Sequence, residues 1–284
     1  MDNNKILDLT PNNPFSFKIL IDTLESVLNE CNIDIKKDCV SISTQDQNKT
    51  VAIYFKSSYD NYKKLYISPK LDVVRLGVDL TSLSNSIKNI SNATDTRLNL
   101  SINSDMTNLL RIRKKNTMYR LKLIQVLSNI DNKIKYSFDV KILLSTKYFH
   151  NTCREISTIT NRLEIRCSKN NIKFIGRGDT GDITIKCTNK DQDTGLVIKN
   201  DNDDDDFFIT GLFDLKSIMS FFKLQSISDD LLLFMKNNYV LGIQYNINDL
   251  GHLFLFFSPV DNNSYEYDGD LYDEQKIDDS CAKF

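Results

Sequence analysis

The sequence predicts an α+β chain built from two similar domains, each with two helices packed on antiparallel sheets. Three observations lead there. Short apolar runs of period two far outnumber the helical stripes. The order of elements in the first half returns in the second. Asp-Leu-x-Ser opens the second helix of each half, at Asp79–Ser82 and Asp214–Ser217. The composition agrees: 40% hydrophobic residues, with 16 Phe and 12 Tyr, supply a sizeable core over 284 residues. Nine Gly, four Pro and no Trp exclude a collagen-like fibre, a repeat solenoid and a Gly-rich nucleotide-binding architecture.

Taken in order, the first helix is expected over Pro14 to Glu30. Its stripe is Phe17, Leu20, Ile21, Leu24, Val27 and Leu28, with Asn13 as N-cap and Pro14 in the first turn. The runs CVSIS, TVAIYF, KLYIS and LDVVRLGVDL read as strands. A second helix is expected in DLTSLSNSIKNIS, where Leu80, Leu83, Ile87 and Ile90 recur at helical spacing, and TRLNLSI and NLLRIR follow as strands. From Tyr136 the order repeats: strand YSFDVKILL, helix TKYFHNTCREISTI, strands RLEIRC, IKFIGR, DITIKC and GLVIKN. Helix FDLKSIMSFFKL and strands LLLFMK, VLGIQYNI and HLFLFF complete it. The expected layout is an N-terminal domain over residues 1–121, a partly extended connector over 122–135, a C-terminal domain over 136–260 and an acidic flexible tail over 261–284.

The chemistry-bearing residues point away from catalysis. The start, MDNNKILDLTPNNPFSF, reads as neither a signal peptide nor a membrane span, so an intracellular protein is expected. Six irregularly spaced cysteines (Cys31, Cys39, Cys153, Cys167, Cys187, Cys281) never form C-x-x-C and read as reduced, mostly buried thiols. No Walker-type loop, H-E-x-x-H or G-x-S-x-G occurs. GRGDTGD (Gly176–Asp182) lies between strands and reads as a β-turn rather than a phosphate loop. His150 reads as part of a solvated helix face or a phosphate contact, and His252, after Gly251, as a hydrogen-bonded structural residue. No nucleophile, base and orienter assemble, so no enzyme, metal or cofactor is expected.

The net charge of −2 is a sum of unlike parts. Asp261–Phe284 and Asp191–Asp206 each carry −6, which leaves +10 on the remainder. A basic body with segregated acidic segments fits a polyanion on one surface.

Four stretches resemble the proliferating cell nuclear antigen family of eukaryotic and archaeal DNA sliding clamps. They are LESVLNECNIDI with CVSISTQDQNKTVAIYF, LGVDLTSLSNSIK (Leu76–Lys88), Phe149–Cys187, and NDLGHLFLFFSPV (Asn248–Val260). Together they span nearly the whole chain in the family's order. The resemblance implies the DNA-clamp fold, a six-domain ring formed as a homotrimer, and double-stranded DNA held without sequence preference by helices lining the hole. It implies processivity without chemistry: DNA polymerase, clamp loader and repair proteins would be tethered through a Gln-and-diaromatic peptide. The alternatives weighed are a subunit of a checkpoint-type heterotrimeric clamp and a monomeric, non-encircling processivity factor. Nuclear localisation is expected. Heavy use of Asn, Asp, Lys and Ile points to an AT-rich source, with a cytoplasmic viral replication factory as the alternative.

Residue by residue, the resemblance places Lys18, Lys88, Arg154, Lys216 and Lys223 on DNA, and Lys147 joins them from its position on the third helix. Glu25, Asn85, Asn151 and Thr158 stand where the family often has further basic or histidine side chains. The partner-peptide pocket falls on Gln45, Leu127, Ile130, Val240, Phe256, Ser258 and Pro259. Gln45 replaces a usual apolar residue, and the connector is shorter, lacks proline and carries little acidity. The strand MYRLKL (Tyr119, Leu121) of one subunit is expected to pair with DITIKC (Ile183, Ile185) of the next, each reading as an exposed edge. Lys169 matches the family's modified lysine.

Overall fold

The structure is a computed structural model; it describes residues 4–92, 97–127, 136–188, 191, 194–200, 207–247 and 249–260. Alternation of apolar and polar side chains accounts for most of the elements. In chain order they are β1 (Lys5–Pro11), α1 (Pro14–Glu25), β2 (Glu30–Lys36), β3 (Cys39–Gln45), β4 (Val51–Ser58), β5 (Tyr62–Ile67), β6 (Val73–Asp79) and α2 (Leu80–Ile87). The first half ends with β7 (Leu98–Asn103), β8 (Leu109–Lys114) and β9 (Thr117–Lys122). The second continues with β10 (Val140–Ser145), α3 (Thr146–Ser157), β11 (Arg162–Ser168), β12 (Asn171–Gly178), β13 (Gly181–Thr188) and β14 (Val197–Asn200). It closes with β15 (Phe208–Asp214), α4 (Leu215–Met219), β16 (Asp230–Met235), β17 (Leu241–Ile247) and β18 (Gly251–Phe257).

The chain divides into two compact units. One comprises Met1–Asn129, Ser220–Asp229 and Tyr245–Leu255; the other Ile130–Met219, Asp230–Gln244 and Phe256–Phe284. In the first, β5-β1-β7-β8-β9 form one antiparallel sheet and β6-β2-β3-β4-β18 follow one another in a second. Leu7, Leu9, Leu100, Ile102, Leu110 and Ile112 put one face of the first sheet into the core, where α1 and α2 bury Leu20, Ile21, Leu24, Leu80, Leu83 and Ile87. In the second unit, β14-β10-β16-β17 and β13-β12-β11-β15 bury Ile142, Leu144, Leu163, Ile165 and Phe174 with Phe149, Cys153 and Ile156 of α3.

Helix starts follow the sequence. The Asn13 side chain accepts hydrogen bonds from the Phe15 and Ser16 amides, with Pro14 next in line, and the Asp79 and Asp214 carboxylates accept from the Ser82 and Ser217 amides. Each such cap contributes on the order of 1 kcal/mol.

Helix ends and three strands depart from the sequence reading, which assigned no run to β1. The first helix stops at Glu25 rather than Glu30: Ser26 donates through N and Oγ to the Thr23 carbonyl. From Glu30 the chain pairs with β6 along Glu30↔Asp79 to Lys36↔Val73, burying Cys31, Ile33 and Ile35 on alternate positions. The strand expected from Tyr136 begins at Val140, because Tyr136 and Phe138 turn aside into an aromatic cluster. The last helix is only Leu215–Met219, followed by a 3-10 turn over Phe222–Ser226. Its buried residues, Leu215, Ile218, Phe221 and Leu224, recur every three positions, a spacing that fits three residues per turn rather than 3.6. Ile90, expected in the second helix, is buried just beyond its end.

GRGDTGD is a hairpin turn, with Gly178 paired to Gly181 across Asp179 and Thr180. The first residues after β9 run beside β6: the Leu123 amide donates to Asn108 O, the Ile124 amide to Gly77 O at 2.9 Å, and Asn32 Nδ2 to Val126 O at 3.1 Å. A β-carbon on Gly77 would stand 2.0 Å from the Ile124 carbonyl oxygen, so glycine is what admits this approach. The remainder of the connector, the acidic run Asp201–Asp206 and the tail 261–284 lie outside the described residues.

Candidate nucleic-acid interface

On α3 and its C-cap, Lys147, Asn151, Arg154 and Thr158 are exposed while Phe149, Cys153 and Ile156 are buried, so the first four share one solvent face. Arg154 Nη1 donates to Asn151 Oδ1 at 2.7 Å, which orients the guanidinium on that face. Lys216 is exposed on α4.

In the first unit, Lys18 and Lys223 meet at one residue. Lys18 Nζ lies 2.6 Å from Asp22 Oδ2, and Lys223 Nζ donates to Asp22 O at 2.9 Å. Ser84 Oγ donates to the other carboxylate oxygen of Asp22 at 2.8 Å, tying α2 to α1. Lys18, at 16% side-chain exposure, thus has its charge compensated locally. Lys88 is exposed at the C-cap of α2. Near it stands a cation that sequence reading missed: Lys114, 8% exposed, donates to Ser86 O at 3.1 Å and lies 5.5 Å from the Tyr119 ring centroid. Burial, then the neighbouring charge of Lys88, hold its ammonium below the ordinary lysine range. Its position one past Arg113 in a period-two strand was the available signal, since that register faces the core.

His150 is not on a solvated face. It is fully buried in α3, beside Phe149. His252 is half-buried, and desolvation followed by the charge of Lys56 lowers its pKa from 6.5. Gly251 before it has φ +130, and a β-carbon there would lie 2.3 Å from Lys56 O. Burial pushes the Cys31 and Cys167 thiols up to about 12, with Glu30 adding to the effect at Cys31, so neither is a nucleophile at neutral pH. Cys281 lies outside the described residues. Among the described residues no three His, Cys, Asp or Glu side chains cluster as a metal site, and no helix is long and apolar enough to cross a membrane.

β9 and β13 are both terminal strands of their sheets. Every residue of β9 except Leu121 is exposed; Tyr119 is 38% accessible, and Leu121, Ile183 and Ile185 are partly so. Lys169 is exposed in the two-residue turn between β11 and β12.

Of the peptide-pocket residues, Gln45 is half-buried at the end of β3 and Leu127 is 81% exposed, both in the first unit. Ile130 lies outside the described residues. In the second unit, Val240 and Pro259 are half-buried and Ser258 is exposed. Phe256, 6% exposed, stacks on Tyr136 with centroids 4.2 Å apart and lies 6.3 Å from Phe138. Tyr239 meets Tyr136 and Phe138 edge-on. Sequence reading missed Tyr136, Phe138 and Tyr239; the aromatic spacing in YSF was the local signal for the first two. Burial, then the neighbouring Tyr239, push the Tyr136 hydroxyl up to about 12.

Comparison with known proteins gives this geometry a context. The family model for the proliferating cell nuclear antigen N-terminal domain matches residues 7–133, and that for the C-terminal domain matches 129–260. A Drosophila melanogaster protein named proliferating cell nuclear antigen 2 is 22% identical over 257 residues, covering 87% of this chain and 94% of that protein. A protein of Acanthamoeba polyphaga mimivirus named a probable DNA polymerase sliding clamp is 25% identical over 229 residues, 78% of this chain. The chain spans about half, 47%, of that viral relative's length. The crystal structure of the Entamoeba histolytica antigen superposes with a TM-score of 0.79 at 19% identity, covering 90% of this chain and all of that one. With both domain models matched in order over residues 7–260, the chain belongs to the proliferating cell nuclear antigen family and has its two-domain clamp fold.

Proposed function

We propose that the chain is a non-catalytic DNA sliding clamp subunit. Three copies close head to tail around duplex DNA and tether a polymerase, a clamp loader and other partners. The observation that carries the reading is the pair of exposed terminal strands, β9 and β13, one in each unit. A heterologous contact joining β9 of one copy to β13 of the next removes every such edge once the ring closes. Tyr119 and Leu121 then cover Ile183 and Ile185. The names of the fly and mimivirus relatives favour the same activity.

In this reading residues 1–121 and 136–260 are the two domains, 122–135 the connector and 261–284 an acidic appendage. Lys88, Lys147, Arg154 and Lys216 contact phosphates without reading bases, which permits sliding. Lys18 and Lys223 contribute less, because each is engaged at Asp22. A Gln-and-diaromatic peptide docks on Gln45, Leu127, Ile130, Val240, Phe256, Ser258 and Pro259, and Lys169 is a modification site. Its compartment is the nucleus or a viral replication factory.

The test pairs mass with topology. Light scattering at micromolar concentration should give a trimer, reduced to monomer by Tyr119→Ala with Ile183→Ala. The loaded wild-type protein should stay on closed circular duplex and slide off after linearisation. Monomer only, or equal retention on both DNAs, would overturn the ring.

A further inference from the structure

The outer face of the sheet β5-β1-β7-β8-β9 is strongly basic, and the clamp reading makes no use of it. Leu7, Leu9, Leu100, Ile102, Leu110 and Ile112 face the core, so the alternate positions face solvent. Register fixes what stands there. Asp8 pairs with Ser101, Ser101 with Arg111 and Arg111 with Arg120; one step along, Asn99 pairs with Arg113. Lys122 lies opposite Leu109 on the same face, and Lys64 opposite Thr10. Arg97 and Lys115 are exposed at the end of the β7-β8 pair.

Among the described residues two carboxylates fall within this cationic field, and both are already engaged. Asp8, 3% exposed at its side chain, accepts from Lys5, Lys64 and Asn99 at 2.8, 2.6 and 2.6 Å. Burial opposes its ionisation, but these donors outweigh it and its pKa is lowered. Asp105 lies 3.6 Å from Arg111 Nη2, at the rim.

The face also carries two open hollows. A hollow of about 240 Å³ lies among Lys5, Asn99, Ser101, Asn103, Arg111 and Arg113, and Asn99 and Arg113 also line an adjoining one of about 580 Å³ that reaches Arg97 and Lys115. Arg111 Nε there is buried without a hydrogen-bond partner. Met118, at the edge, is the exposed apolar side chain of the lining.

We propose that this groove binds the phosphate backbone of single-stranded nucleic acid. A protein partner needs a buried apolar anchor, which the groove does not offer. A phosphate chain needs spaced cations and neutral donors, which it does. Successive outward residues on one strand, such as Arg111 and Arg113, stand about 6.7 Å apart, and neighbouring strands about 4.8 Å. Cations on this grid track a backbone without reading bases, and Tyr66, 38% exposed opposite Asp8, offers a ring for stacking. The inference goes beyond the ring reading, which places duplex DNA against the helices, and does not depend on it.

The test uses the full chain and a fluorescent, covalently closed single-stranded DNA circle, which no ring threads without a loader. Anisotropy in low salt should show binding. Arg97→Gln/Arg113→Gln/Lys115→Asn should weaken it at least about tenfold and reduce the slope of log affinity against log salt by about 2, at roughly 0.7 per lost contact. Arg97→Lys/Arg113→Lys should retain binding, separating lost charge from lost fold. Lys147→Gln/Arg154→Gln/Lys216→Gln should leave it unchanged, whereas loading on duplex should suffer in that variant alone. Equal affinity and slope in the outer-face variant would overturn the proposal. So would a wild-type protein that ignores the circle but binds a peptide of residues 261–284, which would make the groove a seat for an acidic segment.

Discussion

Replacing Gly77 with alanine isolates the contact that seats the beginning of the connector. The new methyl would stand 2.0 Å from Ile124 O and 3.1 Å from its carbonyl carbon, and both are backbone atoms that no rotamer change can move aside. Ile124 must therefore withdraw from β6. That breaks its amide's 2.9 Å bond to Gly77 O and strains the 3.1 Å bond from Asn32 Nδ2 to Val126 O. Two such bonds contribute about 1 kcal/mol each. Alanine in a strand recovers about 0.5–1 kcal/mol of chain entropy relative to glycine. The net loss is about 1–1.5 kcal/mol, a fall in melting temperature of roughly 2–6 °C for a chain of this size. Hydrogen exchange reads the effect locally: the Ile124 amide should lose protection while amides within β2 and β6, such as Ile33 and Leu76, keep theirs. Unchanged protection at Ile124 together with an unchanged melting temperature would refute the steric reasoning. In the proposed clamp the same variant should bind partner peptide more weakly, because the connector then lacks its seat.

Three further outcomes follow from the same geometry. Lys147→Gln/Arg154→Gln/Lys216→Gln should weaken clamp-dependent DNA synthesis and lower its salt slope by about 2.7, at roughly 0.9 per lost phosphate contact, without changing the oligomeric state; synthesis assays across a salt series measure it. Phe256→Ala removes a ring stacked at 4.2 Å on Tyr136, so it should cost about 3–5 kcal/mol of stability and abolish calorimetric binding of a Gln-and-diaromatic peptide while light scattering still reports the wild-type mass. His252, whose pKa burial and Lys56 depress below 6.5, is protonated more readily in the unfolded chain, so it withdraws stability as pH falls below about 6.5. His252→Gln should therefore flatten the decline in melting temperature between pH 7.5 and 5.5, and an unaltered decline would exclude that linkage.

The elements whose signals are local were legible from the sequence alone. Asn13-Pro14 and Asp79 start helices because a side-chain acceptor satisfies amides only two or three residues away. Most strands show because one face of each is buried, and β9 and β13, exposed along most of their length, read as the edge strands they are. The solvent face of α3, proposed above to meet DNA, was legible because Lys147 and Arg154 fall opposite its apolar stripe. What failed depended on partners distant in sequence. The first helix ends early because β2 must pair with β6 more than forty residues on, and the last is short because its core contacts recur every three residues. His150 is polar by composition, yet packing places it inside α3's buried face. Lys18 looks like a free cation until Asp22, itself held by Ser84, pairs with it. The basic groove emerges only in register, since Lys5, Lys64, Arg97 and Arg113 lie on separate strands and loops that strand pairing alone brings to one face. Hydrophobic period and capping chemistry are properties of neighbouring residues and belong to the sequence; charge compensation, close backbone approach and the assembly of a surface are properties of distant residues, and only tertiary pairing decided them.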